Sequence, residues 1–507
     1  MSTGTVGTAE QRRGKVTFVG AGCGDPRLLT VRGAEVLATA DLVLFDPEVH
    51  PDVLAHVRAG TERIPIRASM PAQQVGMMLV DEARAGRHVV RVAFSDPMLF
   101  GTGDVEASEV VRHDIPLEVV PGITAFVAVG AFAGSPLTRS TDALASVTLL
   151  RVTVGQEALH DWAKVATATD TLAITCDAAS VAEVARRLAL SGRSGLAPVL
   201  VVENVSLPSQ SVVESTLNEL SRLPPPSARV LLVVGEHARR VPGLDWLEEK
   251  PLFGLRVLVT RAGPQAQRTL ATFRESGADP LSVPMIEVQP PSDPSALVEV
   301  VSKLTNYGWV AFTSANGVEQ TFAEMARQGR DARAFGFARI AAIGPGTASA
   351  LVEAGVFADL IAKESRGEGL AAALLERMGA ERPRVLVARA EVAREALPEG
   401  LRAAGCEVDT VAAYRTHPAP GALLEGVGAL LEAGELDVVT LTSSSTVEHL
   451  CDGLGERAPQ LLARACVACI SPVTTRAAEK RGIRVDVTAS VHTLPGLVSA
   501  LEAHFMR

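Results

Sequence analysis

Two sets of loops in this chain hold the residue types from which ligand sites could be built. In the first set, Lys15-Val16-Thr17-Phe18-Val19 opens into Gly20-Ala21-Gly22-Cys23-Gly24-Asp25-Pro26, and Asp41 to Phe45 ends in Asp46-Pro47. His88 to Ala93 then leads into Phe94-Ser95-Asp96-Pro97-Met98-Leu99-Phe100-Gly101-Thr102-Gly103, and Leu117 to Val120 ends in Pro121-Gly122-Ile123-Thr124-Ala125. Glycine turns let backbone N–H groups approach a ligand closely and a following carboxylate can take hydroxyls, so the set suits a nucleotide-like ligand. Such a turn is also compatible with a tight turn that binds nothing, and a dinucleotide loop would want a different third glycine. The second set is Thr313-Ser314-Ala315-Asn316 and Thr442-Ser443-Ser444-Ser445, where hydroxyls and free N–H groups at helix starts suit carboxylates. Each alone reads as an ordinary N-cap; their recurrence at equivalent points is what suggests a ligand.

The elements that must position these loops alternate β-rich runs with helical patterns, and the loops fall at the carboxyl ends of strands, where open α/β sheets bind ligands. In the second half the pattern nearly repeats. Trp309 to Glu319 and Ile340 to Ala348 recur as Val438 to Glu448 and Val467 to Thr475. Proline-bearing segments, Gln289 to Pro294 and His417 to Gly421, bracket one copy, so one lobe is expected to be inserted into the other with a cleft between them. The seam between the halves is Glu248-Glu249-Lys250-Pro251, after which the run Leu255 to Thr260 starts a new strand.

At 507 residues the chain is long enough for several domains. With 47% hydrophobic and 21% charged residues it reads as a soluble globular protein, and no apolar run has the length of a spanning helix. A net charge of −10 argues against a nucleic-acid partner. The start, residues 1–14, is expected to be a flexible tail without a secretory signal, and with scattered cysteines this implies the cytoplasm. Cys466-Val467-Ala468-Cys469 has metal-site spacing, but in a strand residues three apart face opposite ways, so no metal is expected.

The first-half residues quoted above, with Ser135-Pro136-Leu137-Thr138 and Pro198 to Asn204, resemble the tetrapyrrole methyltransferases and within them uroporphyrinogen-III C-methyltransferase. The resemblance implies S-adenosylmethionine held by Cys23, Asp96, Leu99, Thr124, Ala125, Cys176 and Val205, with Asp46 as proton acceptor. It also implies a homodimer through this half. The chain departs from the pattern in four places. Phe94-Ser95 replaces a glycine pair, Cys23 a proline, and Gly101-Thr102-Gly103-Asp104 a basic loop, while in Arg63-Ile64-Pro65-Ile66-Arg67-Ala68 only Arg67 could stand for a lysine.

The second half resembles uroporphyrinogen-III synthase through Leu258 to Arg261, Phe312 to Gly317, Ile343 to Ala348, Ala413-Tyr414-Arg415-Thr416, Leu441 to Ser445 and Ser471 to Thr474. That resemblance implies cofactor-free closure of hydroxymethylbilane with inversion of the last ring. Tyr414 would assist hydroxyl departure, with Arg261, Thr313, Ser314, Thr347, Thr442, Ser443, Ser444 and Thr474 as substrate contacts; a core tyrosine is the alternative for Tyr414. The expected fold is therefore α/β throughout: a two-domain methylase fold over 15–241, a linker over 242–251, and a two-lobed synthase fold over 252–507. Lobe one is 252–288 plus 418–507 and lobe two 289–417. Acting in series, the halves would make uroporphyrinogen III and methylate it to precorrin-2 for sirohaem or cobalamin. The alternatives are a synthase carrying a non-catalytic methylase fold, or methylation of another tetrapyrrole.

Overall fold

The computed structural model describes residues 14–139, 145–222, 229–261, 264–364 and 366–506. All but the last residue of the expected tail lies outside them. The chain divides into two compact units at Leu255, with Ser276–Asp279 counted in the first.

The first unit holds two sheets. β1 (Lys15–Gly20), β2 (Leu42–Phe45), β3 (Glu62–Pro65), β4 (His88–Ala93) and β5 (Leu117–Val120) form a sheet in the order β3-β2-β4-β1-β5, every pair parallel. The pleat sends alternate side chains to opposite faces. Val19, Val43, Val90 and Val92 pack against Val36, Leu37, Val49 and Val53 on one face. Phe18, Leu42, Leu44 and Val89 pack against Leu79 and Val80 of the helix Ala72–Arg84 and Val110 of the helix Gly103–Arg112 on the other. The second sheet contains β6 (Val147–Val152), β7 (Thr171–Cys176), β8 (Pro198–Glu203), β9 (Ser211–Thr216) and β10 (Val230–Val234), ordered β6-β7-β10-β8-β9. Its β6–β7 pair is parallel and the other pairs are antiparallel.

The segment expected as a linker is folded onto this unit. Leu247 is buried, Arg240 pairs with Asp245 at 3.2 Å and Glu248 at 2.8 Å, and the Trp246 indole N–H donates to the Ala131 carbonyl.

The second unit also has two sheets. β11 (Arg256–Val259) and β12 (Asp279–Ser282) precede β13 (Ile286–Gln289), β14 (Trp309–Phe312), β15 (Arg339–Ala342), β16 (Leu360–Ile361), β17 (Val385–Ala390) and the long β18 (Val408–Pro418). β19 (Val438–Leu441), β20 (Cys466–Cys469) and β21 (Val487–Thr488) follow. The sheets run β12-β11-β19-β20-β21 and β13-β18-β17-β14-β15-β16, so the second is inserted in sequence within the first. β13 pairs antiparallel with the far end of β18, joining the two crossings between lobes. The β17–β18 register shifts between Ala412 and Tyr414, a bulge that re-aims the tyrosine.

Packing in the first unit is tight where β1, β4 and β5 end. Ser95 N donates to Gly22 O at 2.9 Å, and a Cβ on Gly122 would sit 2.0 Å from the Ser95 carbonyl oxygen. Ser95 itself takes φ 66°, a left-handed backbone that costs a non-glycine residue on the order of 1–3 kcal/mol. Gly122→Ala should therefore destabilise the first unit by about 1–3 kcal/mol, since backbone must shift to admit a methyl group. Denaturant unfolding measures this; an unchanged midpoint would refute the packing.

Candidate functional sites

The ends of the first unit's parallel strands bring Asp46, Asp96 and Thr124 to one edge of the sheet. Asp46 follows β2, where its N–H donates to Val92 O. Its Oδ1 lies 2.7 Å from Arg91 and its Oδ2 accepts from Phe94 N at 2.9 Å. Asp96 accepts from Met98 N and, at 2.9 Å, from Gly122 N, so its carboxylate ties the β4 loop to the β5 loop. Thr124 N-caps the helix Ala125–Phe132 without a side-chain bond, and its Oγ1 is buried with no hydrogen-bond partner. Cys23, Leu99, Ala125 and Val205 meet in one apolar cluster. The Cys23 thiol is 3.7 Å from Ser206 Oγ, and burial raises its pKa, so it is a packing group and not a thiolate.

One expectation is corrected here, and one residue's placement is plain. The N–H groups of Ala21, Gly22 and Asp25 donate to Ala93 O, Ser95 O and Ser206 Oγ, so the glycine turn spends these amides on its own chain. Cys176 is 1% exposed and sits in the core of the second sheet with Trp162, Val181 and Val230, apart from the cluster around Cys23. Its thiol is pushed up to about 12, first by burial and then by Asp177.

In the second unit, helices start at Ser314 after β14, Gly344 after β15, Ser443 after β19 and Ser471 after β20. Ser314 Oγ accepts from Gly317 N at 3.0 Å and from the Tyr414 hydroxyl at 3.0 Å. Burial raises the Tyr414 pKa, partly offset by hydrogen bonds with Ser314 and Asn316, so the phenol stays protonated at neutral pH. Thr313 donates to Ala388 O, and Thr347 is buried in the first turn after Gly344.

Arg261 follows β11, where burial lowers its pKa and Glu319 of the helix Ala315–Arg327 opposes the shift. Ser443 bonds Ser445, Thr446 and the Thr446 N–H, with Thr442 and Ser444 half-buried beside it. Thr474 is 2% exposed and its Oγ1 lies 3.1 Å from Ser471 Oγ, so its hydroxyl serves the helix start. The thiols of Cys466 and Cys469 are pushed up to about 11, chiefly by burial. Among the described residues, no three His, Cys, Asp or Glu side chains gather as a metal would require.

The family model of "Tetrapyrrole (Corrin/Porphyrin) Methylases" matches residues 15–221, and that of "Uroporphyrinogen-III synthase HemD" matches residues 267–499. The chain joins a tetrapyrrole methylase domain to a uroporphyrinogen-III synthase domain. It is similar over nearly its whole length to the "Porphyrin biosynthesis protein HemD" of Ruminiclostridium josui, at 29% identity over 498 residues, covering 96% of this chain and 97% of that protein. The chain is also 40% identical over 233 residues to "Siroheme synthase 1" of Pectobacterium atrosepticum, spanning 44% of this chain and 48% of that protein. A solved structure titled as uroporphyrin-III C-methyl transferase from Thermus thermophilus complexed with S-adenyl homocysteine is 32% identical, covering 45% of this chain and 99% of that one, with a TM-score of 0.38. Among the described residues no helix is long and apolar enough to cross a membrane.

The methylase site gathers five of its seven expected cofactor residues in two groups, Cys23, Leu99, Ala125 and Val205 in the apolar cluster and Thr124 at the adjoining helix start. Asp96 latches two loops, and Cys176 lies elsewhere. In the synthase the structure joins Ser314 to Tyr414 directly, while Thr442, Ser443 and Ser444 lie past β19 of the other lobe's sheet, at the start of the helix Ser444–Leu454. Sequence reasoning missed Arg91, Glu106, Ser206 and the part of Asn316 in holding the tyrosine. The signal for Arg91 was present: a cation in the middle of an otherwise apolar strand, His88 to Ala93.

Ser314→Ala would remove the cap of its helix and the tyrosine's partner together. It should cost about 1 kcal/mol of stability in denaturant unfolding. No loss would mean that the cap is idle.

Proposed function

We propose that the synthase domain converts hydroxymethylbilane to uroporphyrinogen III and that the methylase domain then transfers two methyl groups to it, giving precorrin-2. The observation that carries this reading is the pairing itself: one chain holds both domains, and the macrocycle released by one is the substrate the other would methylate. End-to-end similarity to a porphyrin biosynthesis protein supports it.

In the synthase, the Tyr414 phenol is neutral and spends its one proton on Ser314 Oγ; turned from that bond to the substrate, the same proton would serve a departing hydroxyl. Its position beside the helix start at Ser314 puts a donor and free N–H groups at one place, which favours a leaving group gaining negative charge. The hydroxyls at Thr442, Ser443 and Ser444 suit the substrate's carboxylates, as do the N–H groups of that helix start.

S-adenosylmethionine fits the methylase site: the buried Thr124 hydroxyl lacks a partner, and the apolar cluster of Cys23, Leu99, Ala125 and Val205 adjoins it. When bound it supplies an electrophilic methyl group. The Asp46 carboxylate keeps lone pairs beyond those used by Arg91 and Phe94, and with these it accepts the proton a pyrrole N–H gives up as its ring carbon gains the methyl. Ser95, left-handed in a loop held against Gly22, leaves Phe94 directed outward with its ring partly exposed, so neither side chain is forced into the cluster.

The test is a coupled assay on the full chain with hydroxymethylbilane, with and without S-adenosylmethionine, reading products by mass. Dimethylated product is expected; uroporphyrinogen III alone would remove the methyl-transfer half of the reading, and a monomethylated or different tetrapyrrole product would revise its substrate. Tyr414→Phe should lower the synthase kcat by roughly 10²-fold while methyl transfer to supplied uroporphyrinogen III is retained. A synthase rate equal to wild type would make Tyr414 a packing residue.

A further inference from the structure

β4 is buried along its whole length, yet its middle carries Arg91, only 4% exposed. Its guanidinium is held from three directions. Nε donates to Glu106 Oε2 at 2.7 Å, Nη2 to Glu106 Oε1 at 3.2 Å, and Nη1 to the Val92 carbonyl at 2.7 Å. Glu106, 1% exposed on the helix Gly103–Arg112, is fixed in turn by the Thr102 hydroxyl at 2.5 Å. Nη2 also lies 2.7 Å from Asp46 Oδ1.

We infer that Arg91 is a positioning residue for the methyl transfer proposed above, with Glu106 as its counter-anchor, aiming the Asp46 carboxylate at the substrate's pyrrole N–H. The inference rests on that proposed reaction. Glu106 alone would balance the charge of a guanidinium that served only the fold. Here the planar fork is locked against Glu106 and its own strand, and the Nη2 contact left over reaches the partly exposed carboxylate at the end of β2. With Oδ2 taken by Phe94 N, Asp46 can neither rotate about its carboxyl axis nor leave the sheet edge. One free lone pair on each oxygen is then presented in a fixed direction. Lysine, a point charge on a flexible stem, could neutralise one carboxylate without orienting the other.

The test uses the full chain, scoring methyl transfer to uroporphyrinogen III, S-adenosylmethionine binding by calorimetry and thermal melting. The synthase activity of the same molecules serves as internal control. The double variant Arg91→Met with Glu106→Gln removes the fork without leaving a buried unpaired charge. We expect cofactor affinity and KM for the macrocycle to stay within about twofold and kcat to fall at least about tenfold, with Arg91→Lys in between and Asp46→Asn lowest. If the double variant fails to fold, the kcat-against-KM split of Arg91→Lys decides on the same terms. A folded, cofactor-binding variant with wild-type kcat, or one in which only KM rises, overturns the inference while leaving the reaction standing. A wild-type chain that transfers no methyl group overturns both.

Discussion

A guanidinium that water cannot reach must be neutralised where it stands, and in the methylase domain that requirement organises the first sheet. Arg91 in the centre of β4 draws Glu106 down from the helix Gly103–Arg112 and Asp46 in from the end of β2. Removing either the cation or its buried acid would strand a charge at a cost of roughly 3–5 kcal/mol, more than most single apolar contacts supply. The helix, the strand and the turn at Asp46 are therefore held as a unit, and the β4 loop inherits its direction from them. Phe94 N caps Asp46 on one side of that loop, and Asp96 latches it to Gly122 on the other.

The synthase domain solves a similar positioning problem with neutral groups. Its helix starts carry unpaired N–H groups, and three of the four are capped by serine. Ser314 does two jobs, since its oxygen accepts both from the helix and from Tyr414; the capping bond fixes the hydroxyl that fixes the phenol. The bulge between β17 and β18 delivers the tyrosine to that point. At Gly344 no side chain caps the helix, so its first turn keeps its N–H groups for another partner.

The strands and the repeated lobe pattern were legible in the sequence because alternation and β-branched runs report burial directly. Cys466 and Cys469 behaved as strand geometry requires: Val467 and Cys469 share the core and Cys466 does not. The loops were harder to read, because glycine marks close approach without saying what approaches. Gly20 and Gly122 are glycines so that three loops can cross, and the amides expected to face a ligand bond Ala93, Ser95 and Ser206 instead. The inward turn of Cys176 and Thr474 was not legible for a related reason: whether a thiol at a strand end or a hydroxyl in a helix's first turn points inward depends on the local turn, which spacing alone does not encode. Arg91 was overlooked because a single charge in an apolar run reads as an exposed edge until its partners are known. Glu106 lies fifteen residues away on another element.

The joint between the domains bears on what the fusion can achieve. Ion pairs of Arg240, the Trp246 bond to Ala131 and the burial of Leu247 hold most of the intervening chain on the methylase. A flexible linker raises the local concentration of one site around another to on the order of millimolar, and the gain falls as slack increases or vanishes when the span is unreachable. That gain acts on a bound partner, whereas a released macrocycle is free to diffuse and benefits only if capture outruns escape. On the proposed reaction sequence, fusion by itself therefore guarantees equal numbers of the two active sites. Any preferential passage of uroporphyrinogen III between them has to come from surfaces that hold the macrocycle.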